Sequence, residues 1–217
     1  MYPSCEVRWF FPAAPEGLID WFVSKNRRFD TPASAKRTDH YLLVPNGENI
    51  GIKLREGNIE TKHLVKRQGE RHFPELGATG VVEHWIKWSF KLDEADSLSQ
   101  SIIHDGQDGW IAVEKERLGF TYHFLEDGAI SEVSIYEWVP EGCQVELTRI
   151  VVENKTFHTF GLEAFSSSGQ MERNLEQGAG MVFLALQRWC AASGQPIAGL
   201  GFPKSQSVSY PAFLLEL

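Results

Sequence analysis

The chain has 217 residues, 42% of them hydrophobic, and a formal net charge of −8. That is enough apolar material for a true core in one sizeable domain or two small ones, and the acidic balance argues against broad binding to nucleic acid or anionic membranes, which calls for a basic surface. Cys5, Cys143 and Cys190 lie far apart without zinc-type spacing, no N-terminal apolar run reads as a signal peptide, and no window nears the roughly 18 apolar residues of a membrane helix, so the expectation is a cytoplasmic protein with no membrane partner.

In chain order, Glu6 to Phe11 reads as a first strand. Pro15 stands where helices accept proline, in the first turn, and Leu18, Ile19, Phe22 and Val23 follow at helical spacing. Lys25 to Lys36 is polar and reads as a mobile loop. His40 to Val44 is the next strand, ended by the turn Pro45-Asn46-Gly47. Ile50 to Arg55, the turn Glu56-Gly57-Asn58, and Ile59 to Val65 form a hairpin signal. Val81 to Leu92 alternates most clearly: Val82, His84, Ile86, Trp88, Phe90 and Leu92 share one face, and Glu83, Trp85, Lys87, Ser89 and Lys91 the other.

Asp93 to Ser101 reads as a helix or loop with Asp93 as its cap. Trp110 to Arg117 and Gly119 to Leu125 read as two strands, and Glu126-Asp127-Gly128 turns into a third, Ile130 to Val139. Cys143 to Val152 and Thr156 to Phe165 complete the set. Beyond Ser166-Ser167-Ser168-Gly169 the period becomes helical from Met171 to Ala192, with Leu175, Val182, Leu186 and Trp189 as the stripe and Gly178 and Gly180 weakening it. In the tail from Gly199, Phe213, Leu214 and Leu215 are expected to dock on the body.

One pattern recurs across these strands. Ser4-Cys5-Glu6-Val7-Arg8, Lys53-Leu54-Arg55, Glu60-Thr61-Lys62, Lys115-Glu116-Arg117 and Gly161-Leu162-Glu163 place charges, or a charge and a small residue, two apart. Residues two apart share a face of a strand. If the rows converge, they line a wet, charged interior; if they do not, they are the solvated outer faces of an ordinary sheet or sandwich. Convergent cations suit a phosphate chain, whose charge is spread over many oxygens. Glu6, Glu60, Glu146 and Glu163 sit on strands whose other face is largely apolar; pointed into one cavity they would hold Mg²⁺ or Mn²⁺, and taken singly each would pair with a neighbouring Lys or Arg. Other signals are weak: no HExxH, GxSxG or phosphate-loop motif occurs, and Asp105-Gly106-Gln107-Asp108-Gly109 reads as a turn.

The order of these pieces resembles the CYTH superfamily of triphosphate tunnel enzymes, which includes adenylate cyclases of one class, thiamine triphosphatases and inorganic triphosphatases. The resemblance spans roughly residues 4 to 166. Glu6 and Arg8 are similar to the second acid and the base of that family's opening Glu-x-Glu-x-Lys. Tyr41, Lys53-Leu54-Arg55 and Glu60-Thr61-Lys62 resemble its Tyr-containing strand and basic hairpin, and Lys115-Glu116-Arg117 its later basic pair. Glu146-Leu147-Thr148 and Glu163-Ala164-Phe165 resemble its closing acidic strands. Three positions depart from the pattern: Ser4 replaces the first acid, Phe165 the last, and Thr148 stands where an acid is frequent. In the family these acids hold the catalytic metal, so the better-kept cations favour phosphate binding over metal-assisted hydrolysis.

Together the residues and the resemblance imply a β-dominated α+β fold: a closed or nearly closed antiparallel barrel of about eight strands, with helices packed outside. Residues 1–217 form one domain, in which the segment 170–217 packs on the barrel. The resemblance assigns Arg8, Lys53, Arg55, Lys62, Lys87, Lys115 and Arg117 to the phosphates of a triphosphate-containing small molecule or inorganic polyphosphate. It assigns Glu6, Glu146 and Glu163 to a remnant Mg²⁺ or Mn²⁺ site, with phosphoanhydride hydrolysis as the reaction if the chain is an enzyme. The alternative is a non-catalytic, divergent barrel that binds an organic anion or a protein partner, for which Trp85 beside Lys87 and Tyr136 beside Ser134 offer a mixed aromatic lining.

Overall fold

A computed structural model describes residues 1–13, 15–32, 34–92, 96–196 and 200–217. Among the described residues, nine strands follow one another with antiparallel pairing throughout: β1 (Tyr2–Phe11), β2 (Ala35–Leu42), β3 (Ile50–Arg55), β4 (Asn58–Phe73), β5 (Ala78–Lys91), β6 (Trp110–Phe124), β7 (Ile130–Ser134), β8 (Glu141–Val152) and β9 (Lys155–Ser166). The spatial order is β2-β3-β4-β5-β1-β9-β8-β6, and β6 pairs back onto β2, which closes an eight-stranded barrel. Closure removes the unpaired edges of an open sheet. β7 is an extra strand: the far edge of β6 belongs to β2 from Trp110 to Arg117 and to β7 from Phe120 to Phe124.

The sequence suggested two strands on either side of Leu118. β6 instead runs unbroken through Gly119, because β8 pairs with it across the apparent break. β2 begins at Ala35, five residues earlier than the His40 read from the sequence, and the end of the expected loop is therefore strand. The rest of that loop is fastened: Lys25 and Arg27 pair with Glu132 at 2.8 Å, and Arg149 pairs with Asp30 at 2.7 Å. β4 extends to Phe73 through two bulges, between Leu64 and Lys66 and between Arg67 and Gly69, which absorb the extra residues of its polar second half. β7 ends at Ser134, and the segment up to Val139 that read as strand is instead an irregular turn that buries Ile135 and Val139 and exposes Tyr136 and Trp138.

The main hydrophobic core lies outside the barrel wall. Cys5, Val7, Trp9 and Phe11 of β1, Val145 and Leu147 of β8, and Phe160 and Leu162 of β9 face outward. Two helices cover them. α1 (Glu16–Ser24) contributes Leu18, Trp21 and Phe22, and α3 (Met171–Ser193) contributes Leu175, Val182, Phe183 and Leu186. Gly178 does not break α3; it lets the helix approach the wall, where a Cβ would come within 2.5 Å of the Cys143 Sγ. Trp9 sits at the centre, with Phe73, Phe160, Phe183 and Phe202 at ring distances of 5.3 to 6.4 Å, and its indole N–H donates to the Thr79 carbonyl at 2.9 Å. Buried aromatics of this kind carry large apolar area and need one polar partner each.

α2 (Ser97–His104) is capped by Asp96, whose carboxylate accepts from the Ser99 N–H at 2.7 Å. The expected cap, Asp93, lies outside the described residues. α4 (Tyr210–Leu215) is the docked tail, with Phe213 and Leu214 buried and Leu215 partly exposed. Among the described residues, no helix is long and apolar enough to cross a membrane.

Candidate functional site: the charged barrel lumen

Strand alternation sends every second residue of the wall inward. Because the outward positions hold the hydrocarbon, the inward ones are free to be polar. They enclose a cavity of about 650 Å³. All seven cations singled out in the sequence, Arg8, Lys53, Arg55, Lys62, Lys87, Lys115 and Arg117, line this one space, as do Glu6, Glu146 and Glu163. Solvated outer faces would have dispersed them.

The charges fall into three groups. In the first, Asp39 of β2 is fully buried and gathers four cations. Its Oδ1 meets Arg37 Nε at 3.1 Å and Arg55 Nε at 3.0 Å; its Oδ2 meets Arg55 Nη2 at 3.0 Å, Lys115 Nζ at 3.3 Å and Lys53 Nζ at 3.4 Å. Burial alone would raise the Asp39 carboxyl, but Lys115, Lys53 and Arg55 outweigh it and hold the group far below the usual carboxylate range. The crowd of like charges acts on the lysines in return. Burial, then the neighbouring Arg55, pushes Lys53 down to about 8, and burial pushes Lys115 well below its ordinary value despite Asp39. Lys115 also donates to the Tyr41 hydroxyl at 2.7 Å.

The second group spans three neighbouring strands. Arg8 on β1 reaches across Gly161 on β9 to Glu146 on β8, Nη1 to Oε1 at 2.6 Å, and donates to Thr159 Oγ1 at 3.0 Å. The bridge needs glycine beneath it, since a Cβ at Gly161 would stand 2.6 Å from the Arg8 guanidinium carbon. Arg117 approaches the other oxygen of Glu146 at 3.6 Å. Burial opposes ionisation of Glu146, but Arg8 and Arg117 prevail and hold its carboxyl low. Two inward polar atoms here, Arg117 Nε and Thr148 Oγ1, have no partner among the described residues, and their residues face each other in the β6–β8 register.

The third group is Glu6, Glu163 and Lys62. Glu6 and Glu163 are directly opposed on β1 and β9. The Lys62 ammonium bonds to Glu6 and lies 3.8 Å from Glu163, and Ser4 Oγ donates to Glu6 at 2.5 Å. Burial and the facing Glu163 charge raise the Glu6 carboxyl, whereas for Glu163 burial is outweighed by Lys62 and Lys87, which lower it. Lys87 stands apart: among the described residues it has no ion pair, and it lies over the Tyr2 ring at 5.8 Å.

The expected divalent-metal site does not fit this donor set. A divalent cation takes several free oxygen ligands around one point. Glu6 and Glu163 already share the Lys62 ammonium, Glu146 is clamped by two arginines, and among the described residues no group of three or more His, Cys, Asp or Glu could hold a metal ion.

The two ends of the lumen differ. At one end the inward rows turn apolar: Phe10, Val113, Ile150 and Val152 meet Phe213 and Leu214 of α4. Phe10 stacks on Phe213 at 4.0 Å, and Tyr210 lies flat against Tyr41 at 5.8 Å, with Lys115 Nζ 3.8 Å above its ring. The barrel is therefore a well with a hydrocarbon floor rather than a passage open at both ends. At the mouth, Met1, Tyr2, Tyr136 and Trp138 line the rim, and Trp138 is 81% exposed.

Sequence reasoning missed Arg37, Asp39, Glu83 and Tyr210 as site residues. Arg37, Asp39 and Tyr41 do continue the two-apart spacing, but they directly follow a polar run that obscured it. Glu83 is tied to Arg67 at 2.9 Å and to the Trp85 indole N–H at 3.2 Å, and serves to hold the wall.

No family model matches the chain, and no curated protein matches it. Solved structures similar to the chain include the following three. The PH1012 protein from Pyrococcus horikoshii OT3 has a TM-score of 0.44 and 13% identity, covering 83% of this chain and 89% of that one. A candidate adenylate cyclase from Bacillus halodurans has a TM-score of 0.39 and 8% identity, covering 90% and 93%. The Pct1 RNA triphosphatase of S. pombe, in complex with the Spt5 CTD, has a TM-score of 0.34 and 11% identity, covering 89% and 82%. These likenesses are remote. The chain's own strand pairing gives a closed eight-stranded antiparallel barrel with helices outside.

Proposed function

We propose that the lumen binds the phosphate chain of a triphosphate-containing small molecule or of inorganic polyphosphate. The observation that carries this is convergence: basic side chains from six strands, β1 to β6, enter one cavity. A polyphosphate presents charge on all sides, so donors on several walls bind it better than a patch on one. Arg117 Nε and Lys87 are the readiest donors, the first without a hydrogen-bond partner and the second without an ion pair among the described residues. Thr148 Oγ1 adds a hydroxyl beside Arg117.

A second reading is favoured by the rim. Tyr2, Tyr136 and the exposed Trp138 stand where a flat ring attached to an anion would rest, so the lumen would take an organic anion whose charged end alone enters the well.

Thermal shift separates the two. Tripolyphosphate at about 100 times its dissociation constant adds about 2.7 kcal/mol of stability, a rise of roughly 5–10 °C for a chain of this size. The shift is expected in the wild type and is expected to shrink in Lys87→Ala and Arg117→Ala. Stabilisation by aromatic carboxylates or sulfonates but not by tripolyphosphate would select the second reading. Release of phosphate from tripolyphosphate, ATP or thiamine triphosphate is the assay for turnover beyond binding.

A further inference from the structure

The Glu6–Glu163 pair poses a problem that the fold has solved in a particular way. Two carboxylates directly opposed on neighbouring strands repel each other. A cation between them relieves that repulsion, and carboxylates beside a phosphate chain are the usual ligands of a divalent ion. Here it is filled from the protein. Lys62 starts on β4, two strands away from Glu6 in the barrel order, and its ammonium lies over the Trp85 ring, 5.9 Å from the ring centre. Its ammonium bonds to Glu6 and stands 3.8 Å from Glu163. Ser4, on the same face of β1 as Glu6, adds a donor where a further acid would add a ligand.

We propose that the Lys62 ammonium takes the divalent-cation position between Glu6 and Glu163, so that the lumen binds its polyanion without a metal ion. This rests on the lumen binding a phosphate chain, and it specifies that the attracting charge is built in. An ammonium supplies one positive charge and three N–H donors but no open coordination position. With Glu6 and Glu163 holding the ammonium, one of its three N–H groups remains to turn toward a bound phosphate.

The test uses Mn²⁺ alone and, separately, tripolyphosphate. In the first arm, Mn²⁺ is titrated into wild type, Lys62→Ala and Lys62→Ala/Glu163→Gln and followed by electron paramagnetic resonance, with circular dichroism to confirm folding. The wild type is expected to show no Mn²⁺ binding that depends on Glu163, Lys62→Ala to bind Mn²⁺ at least about tenfold more tightly, and the double variant to lose that gain. Lys62→Met supplies the same readout if Lys62→Ala does not fold. Wild-type Mn²⁺ binding abolished by Glu163→Gln, or no gain in either lysine variant, overturns the proposal. In the second arm, wild-type affinity for tripolyphosphate in excess EDTA is expected to match that with Mg²⁺ within about threefold; a tenfold or larger requirement for Mg²⁺, about 1.4 kcal/mol, overturns it. If tripolyphosphate binds under neither condition, the phosphate reading fails, while the Mn²⁺ arm still decides what occupies the acid pair.

Discussion

On β1, alternate side chains enter two different media. Cys5, Val7, Trp9 and Phe11 go outward into hydrocarbon beneath α1 and α3; Ser4, Glu6 and Arg8 go inward among ions. The same division runs along β8, where Val145 and Leu147 face out and Glu146 and Thr148 face in. The outer face follows the rule of close packing, in which each atom removed from water adds stability. The inner face cannot be justified that way, since buried ion networks break even at best against hydrophobic replacements. This barrel is stabilised from outside, and its inside is left to ions. At the hydrocarbon floor under α4 the inner face joins the outer rule.

Each prediction breaks one side of that division. Phe183→Ala cuts into the outer core and is expected to lower stability by about 3–5 kcal/mol in urea denaturation while tripolyphosphate still binds the folded protein. Asp39→Asn attacks the inner face, leaving Arg37, Lys53, Arg55 and Lys115 without their shared counter-charge. In a dry core this would cost more, but the lumen is open at its mouth, so roughly 2–3 kcal/mol is expected. The variant is also expected to gain more stability from tripolyphosphate than the wild type does. Gly161→Ala pushes a methyl group against the Arg8 guanidinium and is expected to cost about 1–3 kcal/mol, with loss of the Arg8–Glu146 bridge visible in a crystal structure of the variant.

The pH dependence is subtler. Lys53, held at about 8 against its ordinary 10.5, loses its charge at lower pH in the folded protein than in the unfolded chain. Between those values the unfolded chain binds more protons at this residue, so Lys53's contribution to stability increases with pH there. Its attraction for a polyanion moves the opposite way, and tripolyphosphate affinity measured by calorimetry is expected to fall from pH 7 to pH 9. Arg117→Ala is expected to have the smallest effect on stability, roughly 0.5–1 kcal/mol, because Arg8 still holds Glu146 and, among the described residues, the Arg117 guanidinium makes one ion pair, at 3.6 Å, besides its contact with the Tyr136 ring; it is nevertheless expected to weaken binding several-fold.

Much of this was legible in the sequence where charges repeat at period two inside a short, well-bounded strand. Lys53 and Arg55 sit in a hairpin flanked by turns, and Lys115 and Arg117 in a run with Val113, so their common face could be read directly. Arg37 and Asp39 obey the same period but adjoin a polar segment, and only pairing of β2 with β6 shows that the strand starts before them. Barrel closure is itself a long-range fact, made by residues about 75 apart in the register of Tyr41 with Ile111 and Lys36 with Glu116, and no local pattern encodes it. The floor is of the same kind. Phe213 was expected to dock, but not beneath Phe10, which lies at the other end of the chain. Spacing shows which acids share a face and cannot show that Lys62 reaches Glu6 from two strands away and comes within 3.8 Å of Glu163.

The most direct measurement is a crystal structure of the wild-type protein grown with tripolyphosphate. Phosphate oxygens within hydrogen-bonding distance of Lys87 and Arg117, inside the well and above the Tyr210 ring, are the predicted result. A lumen holding only water while the anion rests on the outer surface would contradict it.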